Sequence, residues 1–251
     1  MKRTMIIGAS SGIGRELARL YAAKGDIVGL AARRLNLLEE LQKELGGQAH
    51  ICRMDISEPE EAVSALMDLI DTMGGLDLLI ICSGTGHINP GLEWEPERDT
   101  INVNVAGFTA LACVAMNFFI RQGSGHIAAI SSIAALRGSA ECPAYNASKA
   151  YMSSYLEGLS CKAAVYGKSI AVTDIKPGFV DTAMAQGDGL FWVAPAKKAA
   201  KQIYRIIVRR KLSGYVTKRW GIVALLFKIV PRRVYIAASA RSERARLQKP
   251  L

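Results

Sequence analysis

Residues 4–25 read TMIIGASSGIGRELARLYAAKG, and three kinds of segment follow one another within them. Thr4 to Ile7 is a short apolar run of strand length. Gly8, Gly12 and Gly14 then punctuate a turn, and RELARLYAAKG continues in a helical pattern. A strand, a glycine-rich turn and a helix in that order suit a dinucleotide pyrophosphate. Glycines let the backbone approach the phosphates, and the free N–H groups and positive dipole of the helix N-terminus face the anion. The spacing is G-x-x-x-G-x-G rather than the commoner G-x-G-x-x-G, and a glycine-rich turn alone is most often just a turn. Downstream, apolar runs alternate with longer helical segments, which predicts parallel β-α-β units in a doubly wound α/β domain. Strands are expected at 4–7, 27–32, 49–53, 77–82, 126–131 and 170–175, with helices at 12–24, 35–45, 58–73, 98–120 and 143–166. Repeats, low-complexity tracts and linkers are absent from the sequence.

A second stretch carries chemistry. Tyr145 and Lys149 are four apart in YNASKAYMSSYLEGL, which opens just after Pro143 and holds few helix breakers. One helical turn puts the phenol and the ammonium on the same face. A phenol titrates near ~10, and a neighbouring cation is expected to bring it toward neutral pH. Ser132 follows the apolar run HIAAI, where a hydroxyl at a strand's carboxyl end could donate to a developing oxyanion. Y-x-x-x-K by itself arises by chance in helices. Joined to a glycine turn at residue 8, Asn-x-x-Gly at 104 and Ser132, it is specific.

From Met5 to about Ile203 the sequence resembles the short-chain dehydrogenase/reductase family on these motifs. The resemblance implies a Rossmann-like fold and a catalytic set of Ser132, Tyr145, Lys149 and Asn104. Tyr145 would be the general acid/base, and Lys149 would lower its pKa and bind the nicotinamide ribose. Ser132 would polarise a substrate carbonyl, and Asn104 would support a proton-relay water. The thirteen-residue spacing to Tyr145 favours Ser132 over adjacent Ser131. The resemblance also implies a cofactor site of Gly8, Ser10, Ser11, Gly12, Ile13, Gly14, Asp55, Ile56, Gly84, Tyr145, Lys149, Pro177, Gly178, Val180 and Thr182. Within it, Asp55 would bond the adenine amino group, Val180 the nicotinamide carboxamide, and Thr182 would lie near the phosphates. The family's usual Asn-Ala-Gly after the fourth strand stands here as Cys82-Ser83-Gly84, which puts a weakly bonding thiol where an amide is usual.

The second strand, IVGLAA, ends in Arg33-Arg34 with no acid to bind ribose hydroxyls, and Asp26 lies at its wrong end. A planar guanidinium suits a 2′-phosphate, so the expected cofactor is NADP(H), with Arg33 as main contact and Arg34 and Ser10 as helpers. The stretch 183–195 would be a lid whose Met184, Leu190, Phe191 and Trp192 favour a hydrophobic carbonyl/alcohol substrate. His87 lies near the cleft as a weaker candidate, while His50 and His126 read as structural. Three isolated histidines and no cysteine pair propose no metal site.

The chain has 251 residues, half of them apolar, enough for one stable α/β core. Five scattered cysteines read as reduced thiols of a cytoplasmic protein. No uninterrupted apolar run appears long enough to span a bilayer, and the N-terminal run is too short for a signal peptide. The net charge of +10 is uneven: residues 1–196 hold 16 Lys/Arg against 21 Asp/Glu, and 197–251 hold 16 against Glu243 alone. The expected organisation is an oxidoreductase domain over 1–214 and a basic, partly apolar extension over 215–251, its last ten residues disordered. Basic flanks around the apolar patch at 220–230 suggest peripheral contact of 197–246 with an anionic membrane, or else an oligomer contact. A homodimer or homotetramer is expected from the resemblance, and nucleic acid is not, for want of a recognition motif. The alternative function is a non-catalytic NADP(H)-binding scaffold docked through its basic tail.

Overall fold

The computed structural model describes residues 1–46, 49–167, 169–183 and 191–247. Seven parallel strands form the central sheet: β1 (Arg3–Ile7), β2 (Ile27–Ala32), β3 (Ala49–Arg53), β4 (Leu78–Ile81), β5 (Ser124–Ile130), β6 (Ser169–Pro177) and, last in the chain, Ser213–Val216. Between these last two lie β7 (Val180–Asp181) and β8 (Ala194–Pro195), which pair only with each other, so Ser213–Val216 is β9. The sheet order is β3-β2-β1-β4-β5-β6-β9. All its pairings are parallel, and the six expected strands all form.

Alternation along the strands builds the two layers. Met5 and Ile7 of β1, Leu79 and Ile81 of β4, and Ile127 and Ala129 of β5 enter one core. Their neighbours Ile6, Ile80, Ala128 and Ile130 enter the other. Strands buried on both faces must be apolar at every position, which is why these read as unbroken apolar runs. One face is covered by α1 (Gly12–Ala22), α2 (Leu35–Glu44) and α7 (Ala196–Val208), the other by α3 (Pro59–Thr72), α5 (Phe108–Gln122) and α6 (Pro143–Val165). The strand order reverses between β1 and β4, and ligands of such sheets bind beyond the carboxyl ends of the strands at that point.

The helix expected at 98–120 is longer and compound. It starts as α4 (Trp94–Ile101), passes through a π-helical turn over Asn102–Gly107, and continues as α5. A Cβ on Gly107 would lie 1.8 Å from the Ile56 carbonyl oxygen, so glycine alone admits this approach. By length and composition Trp94–Gln122 could cross a membrane, against the expectation that no segment would. Its charges, Glu95, Glu97, Arg98, Asp99 and Arg121, lie at its two ends, and half of its most apolar window is buried within the fold.

The C-terminal region adds α8 (Trp220–Ile229) and α9 (Arg232–Leu247). The expected disorder of the last ten residues is corrected through Leu247, where α9 continues. Alanine and arginine are strong helix formers, and they dominate ASARSERARL. The lid residues Met184 and Leu190 lie outside the described residues.

Candidate active site

The glycine turn is shaped for an anion. Gly8 and Gly12 lie in the left-handed region at φ +88° and +56°. A Cβ on Gly14 would stand 2.2 Å from the Gly8 carbonyl oxygen, and one on Gly8 would stand 2.6 Å from the Ser83 nitrogen. The first turn of α1 has no acid, and Ser11 at its N-cap bonds no helix amide through its side chain. The N–H groups and dipole of α1 are thus directed at the cleft. Arg34 Nη2 donates to Ser11 Oγ at 2.7 Å and Ser10 Oγ at 3.1 Å, which closes one side of the turn. Arg33 is exposed beside it at the end of β2. Asp26 is far from this corner, bonding Thr4 Oγ1 at 2.9 Å.

Past the third strand, Asp55 Oδ1 accepts from the Ser57 amide at 3.0 Å and the Ser57 hydroxyl at 2.7 Å. Ile56 is buried under Gly107. At the turn after β4, Cys82 and Ser83 both donate backbone N–H groups to the Ile7 carbonyl, at 2.8 and 3.0 Å. Burial pushes the Cys82 thiol up to about 12, as expected of a structural rather than a reactive cysteine. A Cβ on Gly84 would come within 3.2 Å of both Asn104 Oδ1 and Lys149 Nζ, so Gly84 lets the turn pass close to both.

Ser132, Tyr145 and Lys149 converge at the carboxyl end of β5. Ser132 is buried at the cap of a 3-10 turn over Ile133–Leu136 and accepts from the Ala134 amide at 3.1 Å. The Ser131 hydroxyl is instead directed to the Asp174 carboxylate and the Ile175 carbonyl, which leaves Ser132 facing Tyr145. Lys149 is 3% exposed. Its Nζ lies 5.8 Å from the Tyr145 ring centroid and donates to the Ile130 carbonyl at 2.9 Å. Burial lowers its pKa to about 8, against the opposing pull of Asp174. The Tyr145 phenol moves opposite to the sequence expectation: burial raises it, and the hydrogen bond with Ser132 pulls it part of the way back. The cation sits over the ring face and spends a proton on Ile130, so desolvation of the phenolate prevails.

Asn104 is buried in the π-helical turn and its side chain is fully engaged. It accepts from the Thr85 amide at 2.9 Å and donates to the Thr85 carbonyl at 2.7 Å and Ser148 Oγ at 2.9 Å. Ser148 Oγ donates in turn to the Tyr145 carbonyl at 2.8 Å, so Asn104 ties the β4 turn to α6. His87 is drawn off by Asp99, 2.6 Å away on α4, whereas buried His126 bonds Thr173 Oγ1 at 2.8 Å.

The turn after β6 completes the cleft. Val180 is buried in β7, and Thr182 Oγ1 donates to the Val180 carbonyl at 3.3 Å. A Cβ on Gly178 would collide with the Trp220 indole at 2.0 Å, so Pro177-Gly178 packs directly under α8. Phe179, Phe191, Trp192 and Trp220 form one aromatic wall with centroid spacings of 5.2–5.8 Å.

Sequence reasoning missed several contributors. Gly86 lies against the Tyr145 ring, where a Cβ would be 2.4 Å from Cδ2. Asn146 donates to the Ala134 and Arg137 carbonyls at 3.0 and 2.7 Å, which holds the Ser132 segment onto α6. Asp174, buried behind Ser131, forms an ion pair with half-buried Lys176. An acid inside the strand SIAVTDIKP is a readable signal, since Asp is rarely buried unless paired.

The sheet order, the reversal between β1 and β4 and the glycine turn define a doubly wound dinucleotide-binding α/β protein. A family model described as short chain dehydrogenase matches residues 2–189. An uncharacterized oxidoreductase of Myxococcus xanthus is 29% identical over 96% of this chain and 97% of its own length. The 11-beta-hydroxysteroid dehydrogenase 1A of Arabidopsis thaliana is 30% identical over 99% of this chain and 79% of its own. A short chain dehydrogenase/reductase of Burkholderia phymatum, solved in complex with NAD, superposes with a TM-score of 0.82 at 20% identity, covering 100% of this chain and 97% of that one. An NADPH-dependent 3-quinuclidinone reductase of Rhodotorula rubra superposes with a TM-score of 0.71 at 29% identity, over 80% of this chain and 82% of that one. The chain belongs to the short-chain dehydrogenase/reductase family of oxidoreductases.

Proposed function

We propose that this protein transfers hydride between NADP(H) and a carbonyl/secondary alcohol pair on a hydrophobic substrate. The observation that carries the reading is the meeting of Ser132, Tyr145 and Lys149 at the end of β5, across from the glycine turn. The cofactor, held at the glycine turn, would supply the hydride in the reduction direction. Ser132 holds the carbonyl oxygen and Tyr145 gives it a proton. Lys149, lowered by burial to about 8, stands beside the Tyr145 ring as the group that returns a proton. Asn104 positions this group by fixing Thr85 and Ser148 from within its π-helical turn, and would support a relay water there.

NADP(H) is favoured over NAD(H) by Arg33 and Arg34 at the end of β2, with Ser10 and Ser11 in reach of Arg34. Asp55 keeps Oδ2 for an adenine amino group, while Val180 and Thr182 would serve the nicotinamide and phosphate ends. The aromatic wall supports an apolar substrate, as do the steroid and quinuclidinone named for two relatives. Five free cysteines suit a reducing compartment.

The test is a panel of apolar ketones and aldehydes followed by NADPH absorbance, with NADH in parallel. At least one carbonyl should be turned over faster with NADPH, and Arg33→Ala should weaken NADPH by roughly ten- to hundredfold with little loss of NADH affinity. Equal losses for both nucleotides would refute the phosphate contact. Cofactor binding without turnover across the panel would favour a non-catalytic scaffold.

A further inference from the structure

α8 is apolar on two opposite faces. Its inner face carries Trp220 and Ala224, buried against the Gly178 turn and the 3-10 segment after Ser132. Its outer face carries Ile222, Leu225, Leu226 and Ile229, exposed by 66%, 59%, 55% and 67%. Their spacing of i, i+3, i+4 and i+7 makes one continuous stripe along a helix. On α9, Val234 and Ile236 are also more than half exposed, on different sides of the helix. Exposed aliphatic residues scattered singly need no explanation, but a contiguous stripe does.

The surroundings of the stripe are cationic. Lys218 and Arg219 precede α8, Lys228 sits near its end, and Arg232, Arg233 and Arg241 follow on α9. From Lys197 to Ser242 the sequence has no acid. Arg219 lies over the Trp192 ring at 5.2 Å, placing an indole at the rim of the patch. The corner between the helices is rigidly held. Arg137 donates to the Phe227 carbonyl at 2.8 Å and the Val230 carbonyl at 2.6 Å, and the Tyr235 hydroxyl donates to the Gly138 carbonyl at 2.6 Å.

We infer that the outer face of α8 and the start of α9 dock this protein on an anionic lipid surface. Ten residues of helix are too short to cross a bilayer, yet suffice to lie in its interface with aliphatic side chains in the acyl boundary and cations among the headgroups. A second copy of the chain fits less well. A two-fold contact through this patch would set the Lys228, Arg232 and Arg233 cations of one copy against the cationic surround of the other. α7 is not part of the surface, because its apolar face, with Ala199, Ile203 and Ile207, is buried against α1 and β6. The docked face and the aromatic wall of the cleft are two sides of one helix, so the cleft would open near the membrane, where apolar carbonyl compounds concentrate.

The test is sedimentation of the full chain with vesicles of phosphatidylcholine, alone or with about 30% phosphatidylserine. Binding should require phosphatidylserine and fall as salt is raised. Ile222→Ser/Leu225→Ser/Leu226→Ser should weaken it by about tenfold or more with an unchanged melting temperature. Arg232→Glu/Arg233→Glu should do likewise, and Lys24→Glu on the far side should not. Absence of binding by the unaltered chain overturns the inference, as does binding indifferent to both sets of changes. A dimer that the triple serine variant dissociates, with no vesicle binding, would assign the patch to self-association.

Discussion

The floor of the cleft and its outer corner invert each other. At the floor, polar groups are buried: Lys149, Asn104, Ser131, Ser132 and Asp174 are all at most 8% exposed. At the corner, Ile222, Leu225, Leu226 and Ile229 stand in solvent. Burying an ammonium costs folding energy unless it is bonded, and exposing an aliphatic stripe forgoes energy that burial would supply. Each region is therefore out of place by the rules of packing. The buried one is explained by chemistry done inside the molecule, the exposed one by a surface outside it.

Backbone contacts that hold the floor tolerate change least. Gly107→Ala drives a methyl into the Ile56 carbonyl and is expected to cost about 3 kcal/mol or more in urea unfolding. Leu225→Ser at the corner should shift stability by less than about 1 kcal/mol, because its side chain is already in water. Similar losses at both positions would erase the distinction.

A second expectation concerns pH. Burial lowers the His126 pKa to about 4, well below its ordinary value. The unfolded chain then binds a proton that the folded chain refuses between about 6.5 and that value, so stability falls as pH drops through this window. The loss should be on the order of 3 kcal/mol, and His126→Gln should remove most of it in melts at pH 7 and pH 4.5. A pH dependence identical in the variant would contradict buried neutral histidine.

A smaller effect sharpens the view of the floor. Asp174 supports the charged form of Lys149 while burial opposes it. Asp174→Asn should therefore lower the Lys149 pKa further and move the alkaline limb of the pH–rate profile to lower pH. An alkaline limb that stays in place would show that Asp174 acts through Ser131 and not through the charge of Lys149.

The floor was largely legible in the sequence because its motifs are local. Strand, glycine turn and helix are contiguous over residues 4–25, and one helical turn relates Tyr145 to Lys149. Ser132 could be chosen over Ser131 by spacing, and the Ser131–Asp174 bond gives the physical reason. What was hidden depends on approach between distant segments. Gly86 against the Tyr145 ring, Gly178 under Trp220 and Arg137 on the α8 carbonyls have no sequence signature, since each needs the sheet to bring its partners together. The direction of the Tyr145 shift is hidden for the same reason: helical spacing gives the cation's proximity but not the burial that outweighs it. At the corner, composition announced the charge, whereas the division of α8 into buried and exposed apolar faces required coordinates.

The central claim is that the Tyr145 phenol, beside Lys149 and Ser132, is the group that exchanges the proton. The most direct measurement is turnover and NADPH affinity of Tyr145→Phe, determined together on whichever carbonyl compound the unaltered protein reduces. A fall in kcat of about a hundredfold or more with affinity nearly unchanged is the expected result. A variant that keeps near-normal turnover would contradict the account.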